Sequence, residues 1–139
     1  MSERFRSIVV HLREYVGNRR RAQRHRLRLA CSVAPYEPDA SGTKHLTALK
    51  GLTRDASTTG LALILPAVRV GERYLTGADM TLRVVLEFTT GPLELLATPM
   101  RHEQLGPEET DKGFLIGVRI KEMSAADRVR YEAYLTQPR

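Results

Sequence analysis

Apolar and polar residues alternate with a period of two along most of this chain. Leu27, Leu29, Cys31 and Val33 interleave with Arg28, Ala30 and Ser32, which predicts a half-buried strand. Leu46–Arg54 and Leu61–Leu65 read as two more strands, joined by the turn Asp55-Ala56-Ser57-Thr58-Thr59-Gly60. Leu82, Val84, Leu86 and Phe88 alternate in a fourth, and Thr89-Thr90-Gly91-Pro92 makes a hairpin turn into a fifth, opened by Leu93, Leu95 and Ala97 and running to about Glu103. Phe114, Ile116, Val118 and Ile120 form the sixth. Residues 35–45, most of Pro66 to Gly77, and 104–112 are rich in turn formers and polar groups and read as loops.

The period changes at both ends. Phe5, Ile8, Val9, Leu12 and Val16 share one helical face, so residues 4–16 read as an amphipathic helix ended by Gly17. So short a helix is marginal alone in water, and its stripe needs a surface to dock on. Near the other end, Ser124-Ala125-Ala126-Asp127 has the form of a capping box, and a helix follows to about Leu135. Short strands at this spacing predict a mainly β fold: a six-stranded antiparallel β-barrel with a C-terminal α-helix, preceded by the extra N-terminal helix. The expected division is an extension over residues 1–18 and a barrel domain over 19–139, with an arginine-rich tether at 19–26 and the C-terminal helix at 124–135.

Charge sharpens this picture. The net charge is +6, yet residues 31–139 hold thirteen Lys or Arg against fourteen acids. Residues 1–30 hold nine Arg against two acids, and six of those arginines fall within Arg19–Arg28. A near-neutral body with one cationic segment points to a local anion site, and it weakens non-specific nucleic-acid binding as a function. No apolar run approaches the roughly 18 residues of a membrane span, and no secretory signal is visible. The single Cys31 lies on an apolar strand face as a small hydrophobe and fits a reducing, cytoplasmic setting. His11, His25, His45 and His102 show no metal-ligand spacing. No nucleophile elbow or base partner accompanies Ser57, so a non-catalytic role is expected.

Two short motifs carry the chemistry. Arg20-x-x-x-Arg24 precedes the first strand, and Asp55-x-Ser57-x-x-Gly60 lies between the second and third, with 31 positions from Arg24 to Asp55. Together they resemble the PilZ domain, a bacterial receptor for cyclic di-GMP. The arginine run of residues 19–27 and the segment Gly113-Phe114-Leu115-Ile116-Gly117-Val118-Arg119-Ile120 also look like that family, over about residues 19–135. The resemblance implies a PilZ-type split barrel that binds cyclic di-GMP, needs no metal or other cofactor, and signals to a downstream protein or a homodimer through its N-terminal segment. An alternative within the same fold is an interaction module that needs no nucleotide. Arginine can fork onto phosphate oxygens or onto the O6/N7 edge of guanine. Asp55 can accept from guanine N1–H and N2–H. Ser57 can donate to a phosphate or cap its turn. Gly60 can supply positive φ or a close ligand approach. Arg19 and Arg21 are candidate second phosphate contacts, whereas Arg28, inside the alternating strand, reads as solvated.

Overall fold

A computed structural model describes residues 23–37, 48–77 and 79–137. The predicted helix at 4–16 and the predicted site residues Arg19, Arg20 and Arg21 lie outside the described residues.

Six strands close a barrel: β2 (Ala30–Pro35), β3 (Leu49–Ala56), β4 (Gly60–Leu65), β7 (Leu82–Phe88), β8 (Gly91–Gln104) and β9 (Phe114–Met123). All pairings are antiparallel. The order β3-β2-β7-β8-β9-β4 returns to β3 through a β3–β4 ladder, which removes the sticky edges of an open sheet. Two-residue strands β5 (Arg69–Val70) and β6 (Arg73–Tyr74) form a separate small hairpin inside the stretch expected to be mostly loop. Inward residues are those the alternation selects: Cys31 and Val33, Leu61, Leu63 and Leu65, Leu82, Val84 and Leu86, Leu93 and Leu95, Ile116 and Val118 pack one core. Burial pushes the Cys31 thiol up to about 11, so it stays a neutral hydrophobe near pH 7.

Strand β4 departs from alternation, because all six residues are buried. Its outward Ala62 and Ile64 form a second small cluster with Leu115 of β9, and Leu105 of the β8–β9 connection packs on it.

The C-terminal helix runs Ala125–Leu135, and Ser124 Oγ caps it by accepting from Asp127 N at 3.1 Å. Tyr131 and Leu135 enter the core and Tyr134 stacks against Phe88 with ring centroids 4.7 Å apart. Arg130 donates to the carbonyls of Gly91 and Pro92 and to Thr90 Oγ1. The helix thereby seals the barrel end that carries the β3–β4 and β7–β8 turns.

Two boundaries differ from the sequence reading. The first strand does not start at Leu27: His25–Arg26 form a separate two-residue β1 on β3, residues 27–29 break from the ladder, and β2 starts at Ala30. The tether 19–26 is thus partly strand. The cause is the Thr53 hydroxyl, which donates to the Leu27 carbonyl and accepts from Leu29 N at 2.8 Å, standing in for ladder bonds. The second predicted strand, β3, also runs on through Asp55 and Ala56, which the sequence reading places in the turn.

Candidate functional site

A β-bulge decides where Asp55 points. Thr53 opposes Leu63 and Asp55 opposes Ala62, so Arg54 is the extra residue. Thr53 and Leu63 face the core and are fully buried. Strict alternation would turn Asp55 inward as well; the extra residue inverts the parity and turns it out. Asp55 then shares the outer face with its partner on the other side, Arg26 of β1.

Arg24, just before β1, brings its Nη1 to 3.1 Å from Asp55 Oδ1. The two sequence motifs therefore meet in space. Oδ1 is buried and has no well-aligned hydrogen-bond donor among the described residues. A carboxylate oxygen held this way is costly unless something donates to it.

Further contacts fix the residues that follow the tether. Leu27 N donates to the Arg54 carbonyl at 3.2 Å and Thr53 N to the Leu29 carbonyl at 2.9 Å. Arg28, read as solvated from sequence, makes a bidentate pair with Asp111 of the β8–β9 connection at 2.9 and 3.0 Å. Hydrogen bonds from Arg28 hold the Asp111 carboxyl below its ordinary range, and the charges of Arg28, Arg54 and Arg26 add to this. A partner 83 positions away cannot be read from local pattern.

The β3–β4 turn is built from its own polar groups. Ser57 is 3% exposed, and its Oγ accepts from Thr59 N and Gly60 N, each at 3.2 Å, while Ser57 N donates to the Gly60 carbonyl at 2.8 Å. Of the two roles considered for Ser57, the described geometry is that of the turn cap. Gly60 does not have the positive φ that sequence allowed; Gly71, Gly91 and Gly113 are the positive-φ glycines among the described residues. Gly60 is required because a Cβ there would stand 2.6 Å from the Val118 carbonyl of β9.

The helix grips the same turn from beneath. Tyr131 Oη donates to the Ser57 carbonyl at 2.6 Å, and Arg128 Nη1 to the Thr58 carbonyl at 2.9 Å. Burial raises the Tyr131 phenol, against the opposing charges of Arg128 and Arg24, so it remains a donor. Tyr131→Phe strands the Ser57 carbonyl and is expected to cost about 1–2 kcal/mol in urea unfolding. An unchanged midpoint would show that the bond contributes nothing net.

Among the described residues no group of three His, Cys, Asp or Glu is placed to hold a metal ion, and no helix is long and apolar enough to cross a membrane. Of the predicted site residues, Arg24, Asp55, Ser57 and Gly60 converge on one rim, the exposed Arg24 against the half-buried Asp55 and the last two as the frame beneath. Thr53, Tyr131 and the Arg28–Asp111 pair are the contributors that sequence reasoning missed.

Comparisons with known proteins agree with this architecture. The family model described as "PilZ domain" matches residues 18–137. The PilZ domain of YcgR from Escherichia coli, solved with c-di-GMP, superposes with a TM-score of 0.59 at 12% identity, covering 84% of this chain and 88% of that one. The Bacillus subtilis inhibitor of motility (MotI/DgrA) superposes with a TM-score of 0.55 at 16% identity, covering 81% of this chain. The match spans 46% of that protein's length. No curated protein sequence matches.

Proposed function

The chain belongs to the PilZ domain family, and from that premise we propose that it is a non-catalytic receptor for cyclic di-GMP. The observation that carries the reading is the 3.1 Å approach of Arg24, which closes the Arg20-x-x-x-Arg24 motif, to Asp55, which opens the Asp55-x-Ser57-x-x-Gly60 motif 31 positions on. The solved YcgR domain with c-di-GMP, which has the same fold, supports the same ligand class.

The roles follow from chemistry. Asp55 accepts from N1–H and N2–H of a guanine. Arg24 leaves its resting contact with Asp55, and it and Arg20 fork onto phosphate or a base edge. Arg19 and Arg21 add charge toward the two phosphodiesters. Ser57 and Gly60 hold the turn that presents Asp55. The ligand draws the arginine tether against the barrel. Residues 1–18, as an N-terminal extension before the barrel domain, are then re-aimed toward a partner protein or a second copy, in the reducing interior of a bacterial cell. Ordering a segment around a bound anion is a recognised kind of switch.

Melting the protein with and without the ligand tests this reading. Cyclic di-GMP at a hundredfold excess over its Kd is expected to add about 2.7 kcal/mol of stability, whereas GMP at the same concentration adds far less. No shift, with a partner captured equally well in the absence of nucleotide, would favour the nucleotide-independent interaction module instead.

A further inference from the structure

Two bulges, on strands that are not neighbours, act on one row of the outer face. The bulge at Arg54 turns Asp55 outward. On β8 the register also slips by one: Pro99 opposes Val118 and Arg101 opposes Gly117, leaving Met100 extra. Val118 faces the core, so alternation through Pro99 would send Arg101 inward; the bulge sends it out. Proline, lacking the amide donor, is tolerated at such a break.

The ladders then place one continuous outer row across five strands: Arg26, Asp55, Ala62, Gly117 and Arg101. No side chain larger than a methyl group rises between Asp55 and Arg101. Three strand spacings separate these two, about 14 Å along the sheet. Arg101 is exposed and has no ion pair or hydrogen bond among the described residues. Its stem lies over Gly117, with Cγ 3.3 Å and Nε 3.4 Å from where a Cβ would be. Freeing the space above Gly117 therefore needs only a rotamer change in an unpaired side chain.

We propose that Arg101 is a second guanine-reading residue, facing Asp55 across the low floor of Ala62 and Gly117. This rests on the cyclic di-GMP reading and extends it to the second base. One carboxylate can read one guanine, yet a cyclic dinucleotide carries two. Asp55 takes the N1–H/N2–H edge of the first. Arg101, lifted off Gly117, donates two hydrogen bonds to O6 and N7 of the second, acceptors that adenine replaces in part with an N6 donor.

The test compares cyclic di-GMP with cyclic GMP–AMP, which keeps one guanine, by calorimetric titration of the full chain and its Arg101→Ala and Arg101→Lys variants. The wild type is expected to prefer cyclic di-GMP by about tenfold or more. Both variants are expected to bind cyclic di-GMP about tenfold more weakly and to lose most of that preference, because lysine keeps the charge but not the fork. Unchanged binding by Arg101→Ala would overturn the assignment, as would an equal loss for both dinucleotides or full retention by Arg101→Lys. Failure of the wild type to bind either dinucleotide would instead strike the underlying reading. Arg101 has no partner to lose among the described residues, so coincident melting curves should verify the fold of the variants.

Discussion

Asp55→Ala is expected to weaken cyclic di-GMP binding by a hundredfold or more while leaving the protein as stable as before, or slightly more so. The two effects part company because of where the carboxylate sits. In the proposed complex it would accept two hydrogen bonds from guanine, and charge-assisted bonds are worth about 1.5–3 kcal/mol each. Among the described residues its ion-pair partner in the free protein is Arg24, whose side chain is 47% exposed. Ion pairs of that exposure contribute about 0–1 kcal/mol. Against this stands the cost of the buried Oδ1 without an aligned donor. Removing the carboxylate therefore removes a penalty along with a weak attraction. Arg24→Ala should lose binding to a similar extent, but it leaves Asp55 without its neighbour and should not stabilise. Calorimetric titration paired with urea unfolding of both variants checks the contrast. A large loss of stability in Asp55→Ala would show that the residue is structural.

Gly60→Ala is expected to behave in the opposite way, with a large loss of stability and a loss of binding only as a consequence. Its Cβ would meet the Val118 carbonyl at 2.6 Å, and that carbonyl belongs to the β4–β9 ladder, which opposes Gly60 to Arg119. Backbone cannot swing aside as a flexible side chain can. Overpacking of this kind costs about 1–3 kcal/mol, and the upper end is expected here. The turn bonds that Ser57 makes to Gly60 sit at the same point and would be pulled out of line. If folded Gly60→Ala, assayed well below its melting point, bound cyclic di-GMP normally, the glycine would be a framework residue and not a ligand contact. A melting midpoint equal to that of the wild type would contradict the close approach.

Much of the barrel is legible in the sequence because its core is a period-two code. Leu82–Phe88 and Phe114–Ile120 declare their inward faces directly, and the Ser124–Asp127 cap announces the helix. What is not legible is anything that breaks the period through a distant partner. Thr53 looks like an ordinary strand residue, yet its hydroxyl interrupts the alternation that runs from Leu27 to Val33. The bulges at Arg54 and Met100 are invisible locally, because an extra residue is defined only against the opposite strand. They nevertheless decide which side chains reach the outer face.

The site divides the same way. Arg24 and Asp55 could be paired in advance because their two motifs, in this order and spacing, resemble the PilZ signature. Ser57 and Gly60 belong to the same motif, but here they work on the turn itself: one satisfies its amides and the other makes room for β9. The phenol of Tyr131 and the guanidinium of Arg128 hold that turn from a helix some seventy residues later. A signature of this kind therefore mixes residues that would touch the ligand with residues that present them, and sequence alone does not sort the two.

The most direct measurement is a calorimetric titration of cyclic di-GMP into the full chain, repeated with Asp55→Ala. The account predicts saturable binding by the wild type and a loss of a hundredfold or more in a variant that melts no lower. Absence of binding by the wild type, or equal binding by the variant, would contradict it.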